Sequence, residues 1–107
     1  MPSKKKEKYF WSYKSVMDDL SISRRTLQRW LDDLNIDSLE FEDHLKVFLK
    51  LPDVQALRDY SRVMRTRSQN LIETYRNAFS AGNERRMARI LKDADAYQYE
   101  KTVNRVQ

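Results

Sequence analysis

Cysteine is absent from the 107 residues, so no disulfide framework, thiolate metal site or cysteine nucleophile is open to this chain. A reducing compartment is the natural setting for such a composition. Glycine occurs once, at Gly82, and proline twice, at Pro2 and Pro52, which leaves no Gly-rich loop to cradle a phosphate. No apolar run reaches the length needed to cross a bilayer, and Lys4, Lys5 and Lys6 lead into Tyr9, Phe10 and Trp11 rather than into a long apolar region. Neither a membrane span nor a secretory leader is expected. His44 is the single histidine, and beside Asp43 it has no second nitrogen with which to hold a metal. The acidic pairs Asp18-Asp19 and Asp32-Asp33 fall at predicted helix ends without a nucleophile-base pair beside them, so catalysis is not expected, nor any cofactor.

What is abundant is charge. Lys and Arg number 21 against 16 Asp and Glu, a net charge of +5, which favours polyanionic partners. The distribution is uneven. Residues 37–53 are acidic, whereas 1–11, 54–80 and 81–107 are basic and carry the excess. Within 12–36 the two signs cancel, yet Arg24, Arg25 and Arg29 precede Asp32 and Asp33. The local field therefore matters more than the sum.

The run ISRRTLQRWL, Ile22 to Leu31, carries the clearest functional signal. Ser23 is placed to cap a helix by accepting a hydrogen bond from an orphan backbone N–H, and helical spacing turns Leu27, Trp30, Leu31 and Leu34 inward. Arg24, Arg25, Gln28 and Arg29 then face outward. Arg and Gln match guanine and adenine edges in the major groove, and Arg also holds phosphates. Ahead of this helix, Tyr13, Val16, Met17 and Leu20 recur at helical spacing behind Ser12, so the two helices with the Ser21-Ile22 turn form a predicted helix-turn-helix. Ser23, Arg24, Arg25, Thr26, Gln28, Arg29 and Lys14 are the candidate DNA-binding residues, joined by Lys4, Lys5 and Lys6 of a basic arm over residues 1–8. Tyr9, Phe10, Trp11 and Tyr13 have the composition of a stacking platform for single strands, but a core this small is better served by packing them beneath the first helix.

Beyond Asn35, Leu39-Glu40-Phe41 permits one short extended segment, and the pattern Asp43 to Leu51 predicts a helix ended by Pro52. From Val54 to Phe79 no Gly or Pro intervenes, and Leu57, Met64, Leu71 and Ala78 recur every seven residues, which predicts one long helix. Arg58, Arg62, Arg65 and Arg67 form its wet side. Gly82-Asn83 marks a turn into a second amphipathic helix running to about Tyr97, with a frayed tail over 98–107. A hairpin over 53–97 results, and its apolar stripe, too long for the preceding domain at 9–52 to cover, predicts a homodimer seam of Leu57, Met64, Leu71, Tyr75, Met87, Ile90 and Leu91.

Ser21, Ile22-Ser23, Thr26-Leu27 and Trp30 resemble the helix-turn-helix of the MerR superfamily over about a quarter of the chain. The resemblance implies a DNA-binding dimer with a wing after the recognition helix. Here Ser21 and Asn35 stand where that family usually has Gly, and only residues 36–41 are available for a wing, so a reduced one is expected. The lack of Cys sets aside the metal-sensing branch, and no segment stands out as a small-molecule effector domain. The expected protein is all-α: a helix-turn-helix with reduced wing, then a long helix and a C-terminal helical hairpin. Its expected function is sequence-specific binding of double-stranded DNA as a dimeric, cytoplasmic, nucleoid-associated transcriptional regulator, a repressor most simply. An excisionase-like or plasmid-partition factor, or a helical adaptor for protein partners, are the alternatives.

Overall fold

A computed structural model describes residues 8–41 and 46–106. Their order is β1 (Phe10–Ser12), α1 (Tyr13–Leu20), α2 (Arg24–Asp33), β2 (Leu39–Phe41), β3 (Lys46–Lys50), α3 (Leu51–Arg65), α4 (Gln69–Ser80) and α5 (Glu84–Val106). The fold is mostly helical, but a three-stranded antiparallel sheet corrects the all-α expectation. β3 lies in its centre, pairing Trp11 with Leu49 on one side and Glu40 with Val47 on the other. Residues 46–50 were expected as the last turns of a helix. Lys46-Val47-Phe48-Leu49-Lys50 suits either period over so short a span, and pairing on both edges decides for the strand. Pro52 then sits in the first turn of α3, where its missing N–H costs nothing, rather than ending a helix. The part of the expected helix at 43–45 lies outside the described residues, as does His44.

Helices α1 and α2 form as their capping residues dictate. Ser12 accepts from the Ser15 amide to start α1, and Ser21, at φ 54°, ends it in the left-handed conformation with its N–H donated to the Met17 carbonyl. Ser23 opens α2 by accepting from the Thr26 amide at 3.1 Å. Asn35 leaves it at φ 55°. Asn tolerates that region and Ser less so, because a side chain with a Cβ crowds the backbone there.

The expected single helix over 54–79 is two. Thr66 is buried, donates to the Val63 carbonyl at 2.6 Å and accepts from the Ser68 amide at 3.1 Å. Arg67 takes φ 56°, and Ser68 caps α4 by accepting from the Leu71 amide. The chain thus reverses through three residues with neither Gly nor Pro, and α4 folds back on α3. A second reversal at Gly82, φ 66°, is followed by Asn83, whose side chain accepts from the Arg86 amide. α5 begins there and at 23 residues is about 35 Å long, continuing as helix where a frayed tail was expected.

One core joins these parts. Val16, Leu27, Trp30, Leu31 and Leu34 of the helix-turn-helix are contiguous with Leu49, Val54, Leu57, Tyr60 and Val63, and through Ile72, Tyr75 and Ala78 with Ile90 and Ala94. The predicted dimer seam is drawn into it. Leu57, Tyr75 and Ile90 are buried, and Met64, Leu71, Met87 and Leu91 pack half-buried around them within a single chain. The stripe that looked too long to cover is covered by its own second half once the helix breaks at Thr66.

Tyr60 and Tyr75 are wholly enclosed, and burial pushes both phenols above their ordinary range, with the Arg76 hydrogen bond opposing the shift at Tyr60. A phenol raised in the folded state lends stability that is intact below the unfolded value and is lost as pH rises beyond it. Stability is therefore expected to fall above pH of about 10, the ordinary tyrosine value. Urea titrations at a series of alkaline pH values check this, and Tyr60→Phe should flatten part of the decline. No helix of the described residues is long and apolar enough to cross a membrane.

Candidate nucleic-acid interface

The outward face of α2 is built from its inward one. Leu27 and Leu31 are sealed in the core, and Trp30, only 7% exposed, meets the ring of Tyr60 edge-on at 5.6 Å. With that side fixed, Arg24, Arg25, Gln28 and Arg29 are exposed together on the other. Arg25 and Arg29 have no salt-bridge partner among the described residues. Arg24 lies over the Tyr13 ring, 5.5 Å from its centroid, and Tyr13 in turn hydrogen-bonds Ser38 ahead of β2. That contact holds the first turn of α2, α1 and the approach to the hairpin in one arrangement. Thr26 is half-buried, and its hydroxyl accepts from Ser23 at 3.1 Å, so the cap holds both hydroxyls. Lys14 is exposed on α1. Lys4, Lys5 and Lys6 lie outside the described residues.

The far end of α2 is anchored by a network that its sequence position did not suggest. Asp33 accepts from the Tyr60 hydroxyl at 3.1 Å and from Arg76 Nη2 at 3.0 Å, while Arg76 Nε donates to the Tyr60 oxygen at 2.7 Å. The guanidinium also lies 5.8 Å from the Tyr60 ring centroid. Asp33 was expected on a solvated face; instead it ties the end of α2 to α3 and α4 across 27 and 43 residues of sequence. Asp19 plays the same part for α1, receiving two hydrogen bonds from Arg58, whose guanidinium also covers Trp11. Arg62 binds Asp95 of α5. Two of the four arginines on the expected wet side are thus internal ties. The N-terminal aromatics divide: Trp11 and Tyr13 pack against the core, whereas Tyr9 and Phe10 are about half exposed and touch edge-to-face at 4.9 Å.

A cleft of about 550 Å³ beside α2 is lined by Tyr13, Gln28 and Asp32, by Asp37 of the following segment and by Glu40 of β2. A polyanion entering this cleft meets carboxylates, whereas the cationic side chains of α2 lie in its first two turns. No cluster of metal-ligating side chains occurs among the described residues.

No family model matches this chain, and neither does any curated protein or solved structure. The site is a capped helix packed on one side, with a cationic first half exposed to solvent and two antiparallel strands after it. Sequence patterning identified the exposed side chains of α2 and the cap. It did not reveal the Asp33–Tyr60–Arg76 anchor, since nothing local in Asp33 distinguishes it from its neighbour Asp32.

Proposed function

We propose that this protein binds double-stranded DNA sequence-specifically through α2, in the manner of a MerR-like helix-turn-helix, and acts as a dimeric transcriptional repressor. The observation that carries this reading is the cluster of Arg24, Arg25, Gln28 and Arg29, exposed side by side on a helix whose other face is locked by Trp30 and whose ends are fixed by Ser23 and Asp33. Arg25 and Gln28 are assigned to base edges, Arg24 and Arg29 to phosphates, and the Ser23-Thr26 pair lies at the helix N-terminus, where the backbone N–H groups favour an anion. The β2–β3 hairpin is the wing. Asp32, Asp37 and Glu40 in the cleft between it and α2 disfavour phosphate there, so specificity rests on α2.

Dimerisation falls to a surface other than the predicted seam, since those side chains pack within one chain. Tyr97 and Tyr99 of α5 are exposed, on different faces of the helix, and either is available to a second copy. The decisive experiment is selection of binding duplexes from a random pool, followed by anisotropy titration of the recovered site at several salt concentrations. Affinity should fall linearly on a logarithmic salt axis, with a slope of roughly −0.9 per phosphate neutralised. A selected pool no better bound than the starting pool overturns the reading.

A further inference from the structure

We infer that the C-terminal helices hold a binding site for a small organic cation with an apolar body, in the cleft bounded by α3, α4 and α5. The cleft encloses about 360 Å³. Its apolar walls are Tyr75 and Phe79 of α4 with Met87 and Leu91 of α5, and its two charged side chains, Asp59 and Glu84, are both carboxylates. A ring or short aliphatic chain fits such walls, and the charge at the rim selects the sign of what it carries.

Two features point to a bound cation rather than to a solvent-filled furrow. The nearest cation to Asp59 is Arg62 at 3.7 Å, but Arg62 directs its closer hydrogen bonds to Asp95. Burial consequently holds the Asp59 carboxyl above the usual carboxylate range, with Arg62 only partly opposing it. Tyr75, 1% exposed, has no hydrogen-bond partner for its hydroxyl among the described residues. Because no fully buried polar side-chain atom among them lacks a partner, that hydroxyl is not completely sealed, and Tyr75 lines the cleft. An ammonium group seated there donates to the Asp59 carboxylate and to the Tyr75 oxygen, while its apolar body lies on Phe79, Met87 and Leu91. An anion of the same shape meets two carboxylates, and a neutral one forgoes a charge contact with Asp59, whose side chain is 39% exposed and pairs with Arg62 only at 3.7 Å. The inference is independent of whether α2 meets DNA.

Isothermal titration of the full chain with 2-phenylethylammonium, 2-phenylethanol and 3-phenylpropanoate tests it. The ammonium probe should bind saturably and about ten-fold more tightly than the alcohol, the equivalent of one favourable charge contact, and the carboxylate should not bind. Asp59→Asn, whose fold is checked by circular dichroism, should abolish the preference for the ammonium probe, and Ala88→Trp at the exposed rim should block both. Absence of saturable binding at millimolar probe overturns the inference, as does an ammonium preference that survives Asp59→Asn.

Discussion

Replacing Trp30 by alanine is expected to cost about 3–5 kcal/mol. The indole is 7% exposed and contacts Tyr60 edge-on, and Tyr60 is stacked in turn on Tyr75 at 5.9 Å. Removing it leaves a cavity between α2 and Tyr60 of α3, and Tyr60 is itself wholly buried with little room to relax. Domains of this size are commonly stable by only about 5–15 kcal/mol, so the variant should unfold at much lower urea or populate unfolded chain outright. Urea titration followed by far-ultraviolet circular dichroism measures this. Trp30→Phe, which keeps an apolar ring, should recover most of the loss. A Trp30→Ala protein as stable as the parent would show that α2 is not seated as described.

The second large effect concerns affinity, not stability. Arg25 is exposed and unpaired among the described residues, so Arg25→Ala should leave the unfolding curve in place. If it reads a base in the selected duplex, binding should weaken by about 1–3 kcal/mol, which is roughly five-fold to 150-fold. Discrimination between the selected site and a variant at the contacted base should shrink with it. Anisotropy titrations on the two duplexes distinguish this from a phosphate contact, whose loss weakens both equally and lowers the salt slope by about one. Equal affinity of parent and variant for every duplex would remove Arg25 from the interface.

The two variants separate the roles that sit on opposite faces of one ten-residue helix. That division also explains why the Asp33–Tyr60–Arg76 network matters. The cationic face proposed to meet DNA can only be as well placed as α2 is, and α2 is held from beneath by an aromatic contact and at its end by a carboxylate with two donors. Both anchors come from α3 and α4. The C-terminal helices are thus part of the platform for α2, and the cleft proposed for a cation lies one ring further along, since its wall Tyr75 stacks directly on Tyr60.

How much of this was legible before folding depends on the range of the interaction. α1 and α2, their serine caps, the inward Leu27, Trp30 and Leu31, the outward arginines, the extended Leu39–Phe41 and the turn at Gly82 all follow from neighbours within about a turn of helix. Those signals are local, and local signals survive without a tertiary context. Residues 46–50 are different. Five residues do not complete enough periods to separate strand from helix, and β3 exists because β1 and β2 are there to take its hydrogen bonds on both sides. The break at Thr66–Ser68 was masked by the absence of Gly and Pro: Arg67 accepts a left-handed conformation that few sequence rules would allot to arginine, and it does so because folding α4 back buries Ile72, Tyr75 and Ala78.

From the order of residues alone came the two short capped helices α1 and α2, the apolar and cationic faces of the second and the turn between them, because each rests on hydrogen bonds and periodicities a few residues long. Tertiary structure alone decided that the apolar stripe of 54–79 packs against its own chain, that Asp33 anchors rather than solvates, and that three helices enclose a carboxylate-rimmed cleft. Those outcomes join residues tens of positions apart, and only chain reversal brings them within the few ångströms over which packing and hydrogen bonding act.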